Sequence, residues 1–206
     1  MKTQIWISLK LFIVLTILTG IIYPLLVTIS GNLFFAKEEE GSLIYDKEKL
    51  IGSELIAQKF TSDRYFHSRP SAVDYSTVAS GAGNLGPTST ILINSVKERR
   101  KSFIEFNYLS LNEIVPEDML FASGSGLDPH ISKRAAILQI NRIVIVRNFD
   151  DNQKTKLTDL VEKTVEEPQF GFLGEERVNV LKLNIALDKL QNDTVTAMGN
   201  SIFNNN

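Results

Sequence analysis

Two short loops rich in glycine and serine contain the groups best suited to chemistry. The first is ASGAGNLGP at 79–87 and the second is ASGSGLDP at 122–129. Because glycine lets successive backbone N–H groups converge on an anion, such loops can cradle a phosphate. Neither loop has the G-x-x-x-x-G-K-[ST] spacing that places a lysine beside the phosphates. A Walker-type nucleotide site is therefore not predicted.

The serines of these loops raise a second possibility, an acyl-transfer site. Ser125 lies five residues before His130, one of only two histidines in the chain. The G-x-S-x-G spacing of a nucleophile elbow is missing, and closeness in sequence does not place a base beside a serine. Tight turns that support a folded surface are the simpler interpretation. A membrane-anchored extracytoplasmic enzyme that uses the Ser-Gly loops is the alternative.

Composition excludes other kinds of site. The chain has no cysteine, which excludes thiolate catalysis and cysteine-bound zinc. Neither His67 nor His130 has a second histidine at metal-ligand spacing, so we predict no metal site. The interpretation of the two loops as tight turns predicts no catalytic residue and no directly bound cofactor. After residue 36 the chain carries 20 basic and 24 acidic residues, a net charge of −4, which disfavours a nucleic-acid partner.

The element that positions everything else is an uncharged run at 11–36, which holds 26 consecutive residues between Lys10 and Lys37. Its most apolar part gives roughly 28 Å of helix, close to the hydrocarbon thickness of a bilayer. A secretory signal has a shorter apolar core and a small-residue cleavage site, so a retained transmembrane helix is favoured over a cleaved signal. Lys2 and Lys10 precede the run, which places the N-terminus in the cytoplasm by the positive-inside rule.

Within the run, Gly20, Tyr23 and Pro24 are more than a lipid anchor needs. Pro24 removes a backbone donor and predicts a kink, and Gly20 with the nearby Thr16 and Thr19 gives a small face that another helix could approach. The alternative is that glycine and proline are simply commoner in membrane helices.

The soluble part reads as short strands and helices. A hairpin is predicted at 42–51 and a short helix at 53–60, followed by a loop or edge strand, YFHSRPSAVDY, at 65–75. A helix capped by Ser89 or Thr90 is predicted to reach 106, a short buried strand to cover 120–122, and a helix capped by Ser132 to reach 147. A further helix is predicted at 155–164, and 178–190 fits both a strand and a helix.

We therefore predict a mixed α/β (α+β) extracytoplasmic domain after a single N-terminal transmembrane helix. The predicted divisions are a cytoplasmic N-terminus at 1–10, the membrane helix at 11–36, the soluble domain at 37–193 and a disordered tail at 194–206.

Several motifs in one order resemble the KdpC family, the C subunit of the bacterial Kdp potassium-transporting P-type ATPase. They are TGIIYPLL at 19–26, GSELIAQKF at 52–60, YFHSRPSAVDY, ASGAGNLGP, VPEDMLFASGSGLDPHIS at 115–132, QINRIVIVRN at 139–148 and VNVLKLNIALDKL at 178–190. Any one of them alone is a weak signal, but together they cover most of the chain and are specific.

The resemblance implies a non-catalytic accessory subunit of a high-affinity ATP-driven potassium uptake complex in the bacterial cell membrane. Its partners would be a channel-like potassium-binding subunit, an ATP-hydrolysing P-type subunit and a small single-helix subunit, within the lipid bilayer. The family is described as a catalytic chaperone that raises the ATP affinity of the ATPase subunit. Because the predicted orientation places this domain outside, we expect a stabilising role, with ATP and potassium acting in the partner subunits.

The resemblance also supplies candidate partner-contact or family-motif residues. They are Gly20, Tyr23, Pro24, Arg69, Pro70, Ser80, Gly81, Asn84, Leu85, Gly86, Pro87, Ser123, Gly124, Ser125, Gly126, Leu127, Asp128, Pro129, Gln139, Arg142, Asn179 and Asn184.

Overall fold

The structure is a computed structural model that describes residues 2–46 and 48–191 in full, and residues 192–203 as helical backbone. The chain forms two compact units, Met1–Ser53 and Glu54–Asn206. Helices and short antiparallel strands are both present, which confirms the predicted mixed fold class. The hairpin, which the sequence assigns to the soluble domain at 37–193, belongs to the first unit by its contacts.

The first unit begins with one long apolar helix, Lys2–Phe34, which is long and apolar enough to cross a membrane. None of its residues is buried. It consists of α1 (Lys2–Ile17), a π-helical turn (Leu18–Ile22) and α2 (Tyr23–Phe34). Pro24 cannot donate to a carbonyl one turn back, and the chain responds with the wider turn just before it, in which the Tyr23 N–H donates to Leu18 O.

A short helix and a hairpin complete the first unit. After α3 (Ala36–Glu39), β1 (Leu43–Asp46) pairs antiparallel with β2 (Lys49–Ser53), and Asp46 lies opposite Lys49. The hairpin predicted at 42–51 is confirmed.

The second unit packs three helices against a small sheet. A fourth helix, α4 (Thr90–Phe106), and a 3₁₀ turn, Glu117–Met119, come first in the chain. The remaining elements are β3 (His130–Ser132), α5 (Lys133–Arg147), α6 (Asp151–Thr164), β4 (Val165–Glu166), β5 (Arg177–Asn179) and α7 (Val180–Phe203). The sheet has the order β3-β5-β4, with both neighbouring pairs antiparallel.

The core lies where α5, α6 and α7 meet the central strand β5. Its fully buried side chains include Phe66, Ile143, Leu157, Val178 and Leu187. Phe66 comes from the segment at 65–75, which is a loop: Phe66 and Ser68 are buried, and residues 72–75 form a turn in which Asp74 and Tyr75 have left-handed φ.

The helix caps agree with the sequence. Ser89 and Ser132 each accept a hydrogen bond from a backbone N–H in the first turn, as predicted for α4 and α5. The helix predicted at 155–164 begins four residues earlier, because Asp150 forms a capping box with Gln153. The ambiguous 178–190 segment is a strand that passes directly into α7.

Two predicted elements are wrong. No helix forms at 53–60, because Ser53 belongs to β2 and the Ala57 N–H donates to Leu127 O at 2.9 Å, a tertiary bond that replaces a helical one. No strand forms at 120–122, because the amides of Leu120 and Phe121 both return to Glu117 O and continue the 3₁₀ turn.

The structure gives helical backbone as far as Phe203, whereas the sequence predicts disorder for 194–206. That segment lies outside the fully described residues, and its disorder stays a prediction.

Candidate functional site

The two glycine-serine loops, 79–87 and 122–129, lie against each other and form what we call the loop pair. The Gly81 N–H donates to Ser125 O at 2.8 Å, and Ser80 Oγ donates to the same carbonyl at 2.9 Å. Ser71 Oγ donates to Gly126 O at 2.7 Å and ties the preceding segment to the second loop. These bonds join residues about 45–55 positions apart, so they fix the loop pair as one surface.

Close approach of the loops requires glycine at position 126. Its φ of +71° lies in the left-handed region, and a Cβ there would come within 2.6 Å of Val73 Cγ2 and 2.9 Å of Gly81 O. In the first loop the left-handed residue is Asn84, at φ 50°.

The serine hydroxyls of the second loop stabilise its turns. Ser123 Oγ accepts from the Gly126 N–H at 2.9 Å, and Ser125 Oγ accepts from the Leu127 N–H at 3.1 Å. The His130 ring faces two carboxylates, with Nδ1 3.4 Å from Asp128 Oδ1 and Nε2 3.5 Å from Glu166 Oε2. A histidine held between carboxylates is not placed as a base for either serine, so the geometry gives no support to the enzyme alternative.

The far end of the second loop belongs to a row of charged and polar side chains that contact one another. Arg69 Nη1 donates to Asp128 Oδ2 at 2.8 Å, and the other carboxylate oxygen accepts from the His130 N–H at 3.0 Å. Beyond His130, the Glu166 carboxylate receives Arg177 at 3.1 Å and Lys182 at 3.3 Å. Within the described residues, no group of three histidine or acidic side chains is placed to hold a metal ion.

These charges shift the pKa of Asp128. Burial alone raises the pKa of its carboxyl, but hydrogen bonds from the His130 side chain and backbone, together with the Arg69 guanidinium, outweigh burial and lower the pKa to about 2. Glu166 is affected in the same sense: burial raises its pKa, and Arg177 and Lys182 outweigh burial and lower it.

Acid should therefore weaken the loop pair. Since the pKa of Asp128 is lower in the folded chain than in the unfolded chain, its contribution is complete above about pH 5 and is lost as the pH falls toward about 2. The lowered pKa of Asp128 corresponds to about 2 kcal/mol of folding stability at neutral pH. Thermal melting of wild type and Asp128→Asn across this range checks the effect, and we expect the variant to lose less stability between pH 5 and 2. Equal acid sensitivity of the two proteins would contradict it.

Four of the predicted residues outside the two loops are buried, and their side chains hydrogen-bond to backbone groups of this chain. Gln139 accepts from the His67 N–H at 2.7 Å and donates to His67 O at 3.2 Å. Asn184 makes the same reciprocal pair with Phe66, at 2.8 and 3.0 Å. Asn179 Nδ2 donates to Glu54 O at 2.8 Å. An amide side chain offers both a donor and an acceptor, so it can replace a neighbouring strand for an extended segment.

Arg142, the fourth, is the most connected of them. It donates to Asn107 Oδ1 at 3.0 Å, to Tyr65 O at 2.9 Å, to Gln139 Oε1 at 3.0 Å and to the Asp63 carbonyl. Its guanidinium lies 4.6 Å from the centre of the Phe106 ring. Burial lowers its pKa to about 10, so it stays charged at neutral pH.

Sequence reasoning missed several residues of this network. Arg147 donates to Arg64 O at 2.9 Å, to Gln191 at 2.6 Å and to Asp188 at 2.8 Å, and Asn107 accepts from Arg142. The available signal was that Arg142 and Arg147 flank the apolar run at 143–146, because an arginine next to buried positions is normally paired. Ser71, which holds the second loop, carried no signal beyond its place in YFHSRPSAVDY.

Other predicted residues are exposed. In the first loop Asn84, Leu85, Gly86 and Pro87 all face solvent. In the second loop the backbones of Leu127 and Pro129 accept from Ala57 and Val180, both at 2.9 Å, and so attach the loop pair to the core. Pro70 and Gly124 belong to the same surface, half-buried and exposed respectively.

The predicted membrane residues lie at the break in the long helix. Gly20 is inside the π-helical turn, where nothing lies within 4 Å of a Cβ built on it, and Tyr23 and Pro24 open α2. The helix is therefore irregular at this point, and among the described residues of the first unit nothing packs against Gly20.

The comparisons agree with this geometry. The family described as KdpC, K+-transporting ATPase, c chain, matches residues 5–189. A potassium-transporting ATPase KdpC subunit of Leptospira interrogans is 47% identical over 182 residues, which cover 88% of this chain and 92% of the relative. The proteins of that name from Methylococcus capsulatus and Mycobacterium bovis are 46% and 43% identical and are covered over 96% and 100% of their length. Over residues 5–189, from α1 into α7, this chain belongs to the KdpC family.

Proposed function

We propose that this chain is a non-catalytic accessory subunit of a high-affinity, ATP-driven potassium uptake complex, and that it stabilises the assembly of the channel-like and ATP-hydrolysing subunits. Its relatives are named subunits of a potassium-transporting ATPase. The observation that carries the structural role is the loop pair, whose hydroxyls bond its own backbone while the first loop faces solvent. A rigid exposed surface suits protein contact, since little entropy is lost when it binds.

The long helix gives a second reason. Apolar side chains in lipid gain little by associating, so membrane helices pack where small residues let backbones approach. Gly20 in the π-helical turn provides such a place, with Thr19 bonded back to Leu15 O at 2.7 Å. The channel-like subunit, the ATP-hydrolysing subunit and the small single-helix subunit are the proposed neighbours in the bilayer.

The proposed orientation follows from charge. Lys2 and Lys10 precede the uncharged run at 11–36, so the N-terminus lies in the cytoplasm and residues from 37 onward lie outside the bacterial cell membrane. ATP and potassium then act in the partner subunits, and any effect on nucleotide affinity passes through the assembly as a coupling between sites. Protease added to intact spheroplasts should cleave the second unit, and cleavage only after lysis rejects this orientation.

Filling the small site should weaken assembly. Gly20→Ile leaves the second unit unchanged but blocks close approach at the π-helical turn, so we expect at least fivefold less partner protein to co-purify in detergent with the tagged full-length chain. A fivefold loss corresponds to about 1 kcal/mol, the usual size of one helix contact in a membrane.

Ser30→Ile is the matched control, because it makes a similar small-to-large change within the same predicted membrane helix, about 80° around an ideal helix from Gly20. It should leave co-purification unchanged. Equal yields for the two variants would reject the packing role, and failure of the wild-type chain to co-purify any partner would reject the proposed function.

A further inference from the structure

The connection between β4 and β5 ends in an exposed apolar point, which we call the hairpin tip (168–174). Phe170 is 86% exposed, Phe172 75% and Leu173 50%. Single exposed apolar side chains are ordinary, but two phenylalanines and a leucine within four residues at the end of a turn form a contiguous patch. Nothing in the loop pair or the buried network uses them.

The hairpin tip is closed by its own backbone. The Gln169 and Leu173 amides donate to each other's carbonyls, both at 2.9 Å, and the Gly171 N–H donates to Pro168 O at 2.9 Å. Below the tip, β4 pairs with β5, and Arg177 and Lys182 hold Glu166 at 3.1 and 3.3 Å. The patch is therefore presented on a braced hairpin, and the aromatic side chains lose little backbone freedom when they bind.

The backbone conformation of Phe170 also holds its side chain in an exposed position. Phe170 has φ 55°, a left-handed conformation that is unfavourable for a bulky side chain, and the neighbouring Gly171 and Gly174 are also left-handed, at φ 79° and 96°. A turn selected only for folding needs small or polar residues at such a position. Here Phe170 adopts the unfavourable left-handed conformation, and its side chain faces solvent.

The charges around the hairpin tip indicate which kind of surface it binds: a lipid membrane, a second copy of this chain or another protein. Glu167, Glu175 and Glu176 flank it and are exposed. Lys133 is close enough for Glu167 and Glu176 to raise its pKa, but it pairs with Glu162 at 2.6 Å, which is the largest cause of that shift. An acidic border repels anionic lipid headgroups and repels the same tip on a second copy. It favours a surface with a basic rim.

We propose that the hairpin tip inserts into an apolar cleft with a basic rim on another subunit of the same ATPase. Phe170 and Phe172 are the anchors, and the three glutamates set the register of docking and favour encounter. This inference rests on the proposed function, because it takes a subunit of the complex as the occupant. Buried aromatic anchors of this kind commonly account for most of the binding energy of an interface.

Photo-crosslinking identifies the occupant directly. The full-length chain, co-expressed with its partner subunits, carries a benzophenone amino acid in place of Phe172, and in a second preparation in place of Leu111, another exposed apolar side chain at 78%. We expect a covalent adduct with another subunit from position 172 and none from 111. Adducts between two copies of this chain, or with lipid alone, overturn the proposal.

Substitutions test the energetics. F170S/F172S should reduce the affinity for the partner subunits at least tenfold, whereas Leu111→Ser should leave it unchanged. E175K/E176K should weaken association most at low salt, because screening removes the attraction that it reverses. If F170S/F172S binds the partner subunits with wild-type affinity and position 172 forms no adduct, the proposal for the hairpin tip is rejected. The proposed accessory role is not affected by that result. Failure of the wild-type chain to co-purify any partner rejects both.

Discussion

Replacing Arg142 with methionine is expected to lower the melting temperature of the full-length protein in detergent by about 10 °C. Methionine keeps much of the side-chain length but has no donor, so the carbonyls of Asp63 and Tyr65 and the Asn107 oxygen lose their partner. An unsatisfied buried acceptor costs about 1–3 kcal/mol. The Asn107 oxygen is buried and the two carbonyls are partly buried, so the expected total is about 4 kcal/mol. Circular dichroism during heating measures the transition.

Arg134→Ala is the matched control. Arg134 lies on the same helix, but its ion pair with Glu113 at 3.1 Å is largely exposed, so its loss should cost less than about 1 kcal/mol. Arg142→Lys should fall between the two, because lysine keeps the charge but cannot reach several acceptors at once. If Arg142→Met melts like the control while partner binding is lost, Arg142 is a contact residue and its buried scaffold role is wrong.

The scaffold role explains why the polar motif residues were only partly predictable. Helix periodicity and cap chemistry located α4 and α5 with their first residues, because Ser89 and Ser132 act locally. The same rules cannot show that Gln139 or Asn184 points inward at a backbone more than 70 residues away. A polar residue in a helix is normally solvated, and its burial depends on which segment lies against it.

Tertiary bonds also account for the two wrong elements. Residues 53–60 carry a helical pattern, yet Ala57 donates to Leu127 O and Asn179 holds the Glu54 carbonyl, so the local preference is overridden. The loop pair shows the reverse case. Glycine and serine content predicted tight turns at 79–87 and 122–129, but composition cannot reveal that one loop is the partner of the other.

That partnership predicts the second large effect. Gly126→Ala should destabilise the full-length protein by about 3 kcal/mol, which combines the cost of a left-handed alanine with overpacking against Val73 and the Gly81 carbonyl. Val73 is a side chain and can be trimmed, but the Gly81 contact is backbone at 2.9 Å, so relief requires the loops to separate. Hydrogen exchange at the Gly81 amide should become faster, because its bond to Ser125 O breaks.

Gly124→Ala is the control, since it lies in the same loop, has no left-handed φ and has nothing within 4 Å of its Cβ position. It should change stability by less than about 0.5 kcal/mol. The double variant V73A/G126A should recover only part of the loss, because the φ of +71° and the backbone contact both remain. Full recovery would mean that Val73 alone sets the requirement for glycine, and equal melting of the two alanine variants would mean that the loops already part in solution. Partial recovery together with fast exchange at Gly81 would show that the second loop holds the first by direct backbone contact, as a fixed surface for partner binding requires.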